Sequence, residues 1–87
     1  MIIERGIDMT GLQNVRIQRG LTQAELAERS RINLRSLQYY EQGRKDIEHI
    51  RLDKLLRLCL ILNCKLSEIV EDSQCQILAK EYEKEAE

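Results

Sequence analysis

Apolar residues recur along this chain at helical intervals and are repeatedly interrupted by residues that cap or end helices. Leu12, Val15 and Ile17 supply one side of a first helix, which Asp8 or Thr10 can cap and Gly20 stops. Thr22 and Glu25 form a T-x-x-E capping box, with Leu21 and Leu26 placed outside and inside it as a hydrophobic staple, so a second helix starts here. Ala24, Leu26 and Ala27 are its apolar residues, and the small alanines admit a close neighbour. Ser30 to Ile32 turn the chain. Asn33 then caps a third helix, Leu34 to Gln42, which Gly43 ends in the left-handed conformation. From about Ile50 to Leu62 a fourth helix is expected to turn Leu52, Leu55, Leu56, Cys59 and Leu62 inward, with Asn63 as its left-handed terminator. Leu66, Ile69 and Val70 predict a short fifth helix, and Gln74 to Ala86 can form another, with Cys75, Leu78 and Tyr82 on one stripe. The pattern is all-α.

The second and third helices, joined by three residues, have helix-turn-helix proportions. The string R-x-x-R-G-L-T-Q-A-E-L-A from Arg16 to Ala27, followed by Asn33, Leu37, Tyr40, Glu41 and Gly43, resembles the Cro and phage-repressor type of helix-turn-helix protein. The likeness covers roughly residues 9 to 72. It implies a compact five-helix, lambda-repressor-like DNA-binding domain, here followed by a short C-terminal helix. Residues 1–8 are then an N-terminal arm, 9–72 the domain and 73–87 an acidic tail able to form a helix. This chain departs from the family in the turn, where Arg31 replaces the usual glycine; a non-glycine residue there must either tilt the turn or sit under slight strain.

The resemblance lays the third helix in the DNA major groove. At about 100° per residue, Leu34, Arg35, Gln38, Tyr39 and Gln42 share an outward arc, while Leu37 and Tyr40 face the core. Arg35 suits a bidentate contact to guanine, Gln38 to adenine, and Leu34 an apolar contact to a thymine methyl. The expected base-contacting set is Asn33, Leu34, Arg35, Gln38 and Tyr39. Thr22 and Gln23, at a helix N-terminus where free N–H groups favour an anion, are expected on phosphates together with Gln42, Arg44 and Lys45. The resemblance also implies that Arg16 pairs with Glu41, tying the first helix to the third.

Composition narrows the alternatives. The 87 residues carry a net charge of -1, which as a uniform value would argue against binding a polyanion. Charge is polarised, however: residues 12–51 hold eight basic and five acidic side chains, whereas 66–87 hold two basic and seven acidic. The three cysteines, Cys59, Cys64 and Cys75, form no C-x-x-C pair, so neither a disulfide framework nor a zinc site is expected. No membrane-length apolar run and no signal-peptide pattern occur, which predicts a cytoplasmic protein without a membrane partner. Nucleophile elbow, P-loop, dinucleotide turn and H-E-x-x-H are all lacking, so no enzyme and no cofactor are expected.

These observations predict a sequence-specific DNA-binding transcriptional regulator of bacterial or phage type, with double-stranded DNA as partner. The competing class is an antitoxin-like protein-interaction module holding a partner protein through its leucine-rich fourth helix and tail. A domain this small gains from self-association, and one recognition helix spans few base pairs, so a homodimer is expected. Leu60, Ile61, Ile77, Leu78 and Tyr82 form an apolar excess that either makes the dimer contact or is covered by the protein's own tail.

Overall fold

The computed structural model describes residues 9–86, and the expected N-terminal arm, residues 1–8, lies outside the described residues. Among the described residues five α-helices follow in order: α1 (Gly11–Gln18), α2 (Gln23–Ser30), α3 (Leu34–Glu41), α4 (Leu52–Leu62) and α5 (Ser73–Ala86). Single 3-10 turns at Ile47–His49 and Leu66–Glu68 lead into α4 and α5, and the described residues contain no strand. Leu12, Leu26, Leu37, Leu58, Leu62 and Ile69 are almost fully buried at the centre, so each of α1 to α4, and the residue that ends the second 3-10 turn, sends a large apolar side chain inward; Ile47, in the first 3-10 turn, is buried with them. Burying such a side chain stabilises by roughly 1.5–3 kcal/mol.

Local chemistry sets the helix ends. Thr10 caps α1 through its hydroxyl, which accepts from the Gln13 N–H. The Thr22–Glu25 box is complete, each side chain accepting from the other's backbone N–H. Asn33 caps α3 by accepting from Arg35 and Ser36. The first four helices then end alike. Gly20, Arg31, Gly43 and Asn63 adopt positive φ, at 73°, 62°, 76° and 51°. After each, the next residue donates its N–H back to the carbonyl five positions earlier: Leu21 to Arg16, Ile32 to Ala27, Arg44 to Tyr39 and Cys64 to Cys59. This is the Schellman motif, which also brings together the side chains at the two ends of that bond. Arg31 thus holds a conformation that disfavours a side chain by roughly 1–2 kcal/mol, and the turn is not tilted to avoid it.

Three expectations require correction. Helix α4 does not bury Leu52 or Leu56, which are 67% and 50% exposed; its inward residues are Leu55, Leu58 and Leu62, with Cys59 half-buried. The helix is apolar nearly all round, so its hydrophobic pattern could not fix its phase. In α1, Ile17 is half exposed while Arg16 is buried, because Arg16 has a buried carboxylate to meet. The segment after α4 makes one 3-10 turn rather than a helix, although Ile69 and Val70 are buried as expected of a covering segment.

Helix α5 is the longest among the described residues and docks on that 3-10 turn. Glu83 accepts from both the hydroxyl and the N–H of Ser67, and Ala79 is buried beneath. The junction before α5 is held by Glu48, whose carboxylate accepts from the N–H groups of Glu71 and Asp72. The tail does not cover the apolar excess: Leu60 is 78% exposed and Ile77, Leu78 and Tyr82 also remain open, while Ile61 packs partly against the core.

Candidate nucleic-acid interface

The centre of the candidate site is a buried ion pair. Arg16 donates from Nε to Oε2 of Glu41 at 2.6 Å and from Nη2 to Oε1 at 3.1 Å, the bidentate geometry that suits a guanidinium to a carboxylate. Its third nitrogen, Nη1, donates to the Leu21 carbonyl at 2.8 Å, so one side chain joins α1, the start of α2 and the end of α3. The Thr10 hydroxyl adds a bond to the Glu41 carbonyl at 3.0 Å. Among the described residues no buried side-chain polar atom lacks a partner.

From that pair a relay of amides runs to the protein surface. Gln23 donates to Oε1 of Glu41 at 3.0 Å, and its own amide oxygen accepts from Gln38 at 3.4 Å. Gln23, expected as a phosphate contact, therefore also orients Gln38 on α3. Sequence reasoning missed this role, because it depends on how α2 and α3 cross and leaves no mark on either helix alone.

Around Gln38, Arg35 on α3 and Gln42 at its C-terminal cap are exposed, with Leu34 at 42% exposure and Tyr39 partly open. Leu37 is buried and Tyr40 packs on the core, so the two faces of α3 fall where its periodicity put them. Asn33 is exposed, but its amide oxygen is engaged in capping, which leaves the NH2 group free to meet another molecule. Beyond Gly43 the Schellman turn folds the basic loop back over α3. It sets the Arg44 guanidinium 5.6 Å from the centre of the Tyr39 ring, with the Lys45 ammonium 6.0 Å from Tyr39 and 5.7 Å from Tyr40. Cation–π attraction of this kind holds the two charges beside α3. Thr22, at the N-terminus of α2, is exposed as well.

Residues 11–74 match the family model of the Cro/C1-type helix-turn-helix DNA-binding domain. The chain belongs to this family. No curated protein and no solved structure gives a match. In this Cro/C1-type domain α2 and α3 are the helix-turn-helix, and binding DNA is the function the family carries. The exposed or partly exposed residues on and around α3, an arginine, a glutamine, a tyrosine and two loop cations, are the side-chain types that contact base edges and phosphates. None of the described helices is long and apolar enough to cross a membrane.

Proposed function

We propose that the protein is a sequence-specific transcriptional regulator that acts as a homodimer in the cytoplasm. Its α3 enters the major groove, Arg35 and Gln38 read base edges, and Asn33, Leu34 and Tyr39 complete the contact. Thr22, Gln23, Gln42, Arg44 and Lys45 hold the flanking phosphates. The observation that carries this reading is the open Arg35–Gln38 face of α3, braced from behind by the Arg16–Glu41–Gln23 relay. Base readout needs such bracing, since a bidentate contact discriminates only when the side chain is held in place.

Dimerisation is supported by an apolar surface. Leu52, Leu56 and Leu60 follow one another at intervals of four on α4 and are 67%, 50% and 78% exposed. Leu78 and Tyr82 of α5 line a further apolar groove with Leu55, Leu66 and Val70. Exposed apolar residues in such number on a small domain mark a contact surface. A second copy is its occupant, because two recognition helices about one turn of DNA apart supply the specificity that one lacks. The antitoxin-like alternative uses the same surface for another protein.

Selecting bound sites from a random DNA pool tests the reading. An inverted repeat, with half-sites about one helical turn apart, is expected. Failure to enrich any motif overturns it. For the dimer, sedimentation of a Leu56→Glu/Leu60→Glu variant should give a folded monomer, whereas a surviving dimer excludes the α4 stripe.

A further inference from the structure

The cap that ends α4 combines two features noted separately above. Asn63 takes the left-handed conformation, and Cys64 donates its N–H to the Cys59 carbonyl at 3.1 Å, while Asn63 donates to Leu60 at 3.3 Å. In a Schellman motif the side chains at the two ends of the longer bond pack on one another, commonly as an apolar contact. Here those two side chains are thiols, both packed against the same core and close enough to influence each other's titration. Both are half-buried against the core, leaving part of each open to a small reagent. Backbone bonding and thiol proximity bring the pair within the reach of a disulfide, which usually spans roughly 4.4–6.8 Å between Cα atoms.

We propose that Cys59 and Cys64 are a redox-responsive dithiol, closed by hydrogen peroxide to an intramolecular disulfide across the α4 cap and reopened by thiol reductants. The chemistry balances with that oxidant alone. Cys59, having given its proton to solvent, attacks one peroxide oxygen; the O–O bond breaks, a sulfenic acid forms, and the departing hydroxide takes up a proton to become water. The Cys64 sulfur then attacks the Cys59 sulfur; the S–O bond breaks, and the leaving hydroxide takes the Cys64 proton as a second water. Two thiols lose two electrons and one peroxide becomes two waters.

The neighbouring Cys64 thiol pushes Cys59 below the ordinary thiol range against the opposing effect of burial, while Cys64 is pushed up by Cys59 and by burial. We take Cys59 as the attacking sulfur and Cys64 as the resolving one, an order that the two serine variants test directly. Such a bridge closes a very short loop and adds little chain-entropy stabilisation, which suits a reversible bond rather than a staple. The loop also contains the Leu62 and Asn63 carbonyls that Arg19, at the end of α1, grips at 2.6 and 3.2 Å. Closing it acts on the anchor that holds α4 to the segment just before α2.

The test uses the intact, reduced chain. After brief exposure to hydrogen peroxide, remaining thiols are alkylated and the protein is cut with trypsin, which releases Leu58 to Lys65 as one peptide holding both cysteines. That peptide is expected to lose two hydrogens and resist alkylation, while Cys75 on α5 is still alkylated; dithiothreitol should restore both thiols. In Cys64→Ser, dimedone should trap a sulfenic acid at Cys59. In Cys59→Ser, Cys64 should stay alkylatable. Peroxide that consumes Cys75 first, links chains to one another or over-oxidises Cys59 without forming the bridge overturns the proposal. The wild-type digest alone decides, whether or not the serine variants fold.

Discussion

Replacing Glu41 by alanine should do more damage than its place at the end of a short helix suggests. The carboxylate is 2% exposed and accepts three hydrogen bonds, two from Arg16 and one from Gln23. Removing it leaves the Arg16 guanidinium, 9% exposed, with only the Leu21 carbonyl as partner, and leaves the Gln23 amide without its acceptor. Breaking a buried pair by deleting one partner costs about 3–5 kcal/mol, because the surviving charge stays desolvated. Small domains are commonly stable by only ~5–15 kcal/mol, so a substantial fraction of the fold's stability is at stake. Arg16→Ala should be costly for the same reason. In the double variant neither charge is stranded, so its cost should fall below the sum of the single costs, by ~0.5–3 kcal/mol. Urea unfolding followed by circular dichroism gives all four corners of the cycle. Strict additivity, or a Glu41→Ala cost under ~1 kcal/mol, would refute the reasoning.

Two further predictions concern the frame around the site. Gly11→Ala should destabilise by ~1–3 kcal/mol in urea, since the added Cβ would collide with the Glu68 carbonyl and sit close to the Glu71 carboxylate; no loss would mean that this packing is looser than described. Glu48 should contribute acid sensitivity: burial pushes its carboxyl up, but the N–H groups of Asp72 and Glu71 outweigh this and hold it below its ordinary value of 4.5. A lowered folded-state value means that the ionised form stabilises the fold above the ordinary range and that this contribution disappears as the pH falls through the folded value. The urea midpoint of Glu48→Gln should therefore lie below wild type at pH 7 and approach it in acid; a gap that stays constant with pH would contradict this.

Much of the fold is legible because its boundaries depend on single residues. Thr22 with Glu25, Asn33, Gly20, Gly43 and Asn63 each fix a helix end through a backbone bond or a positive φ, and such local requirements can be read from the chain. The positive φ of Arg31 was legible for the opposite reason, as a residue that does not suit its place. What could not be read depends on partners distant in sequence. Leu52 and Leu55 look alike on a helix made almost wholly of leucine, and only the surrounding elements decide that Leu55 faces in. Arg16 is buried in place of Ile17 because Glu41 lies across from it, which the resemblance implied and periodicity did not. The Gln23–Gln38 bond and the meeting of two thiols at the α4 cap depend on side-chain geometry that spacing alone leaves open.

The central claim is that α3 reads sequence while the loop behind it only holds the backbone. Binding of Arg35→Ala and Lys45→Ala to the selected site, and to random DNA over a range of salt, separates the two roles. Arg35→Ala should lose ~1–3 kcal/mol on the selected site and relax the preference at one base position, with little change on random DNA. Lys45→Ala should weaken every sequence similarly and make the salt dependence shallower, as expected for one phosphate contact fewer. Equal losses on selected and random DNA for both variants would contradict base readout by α3.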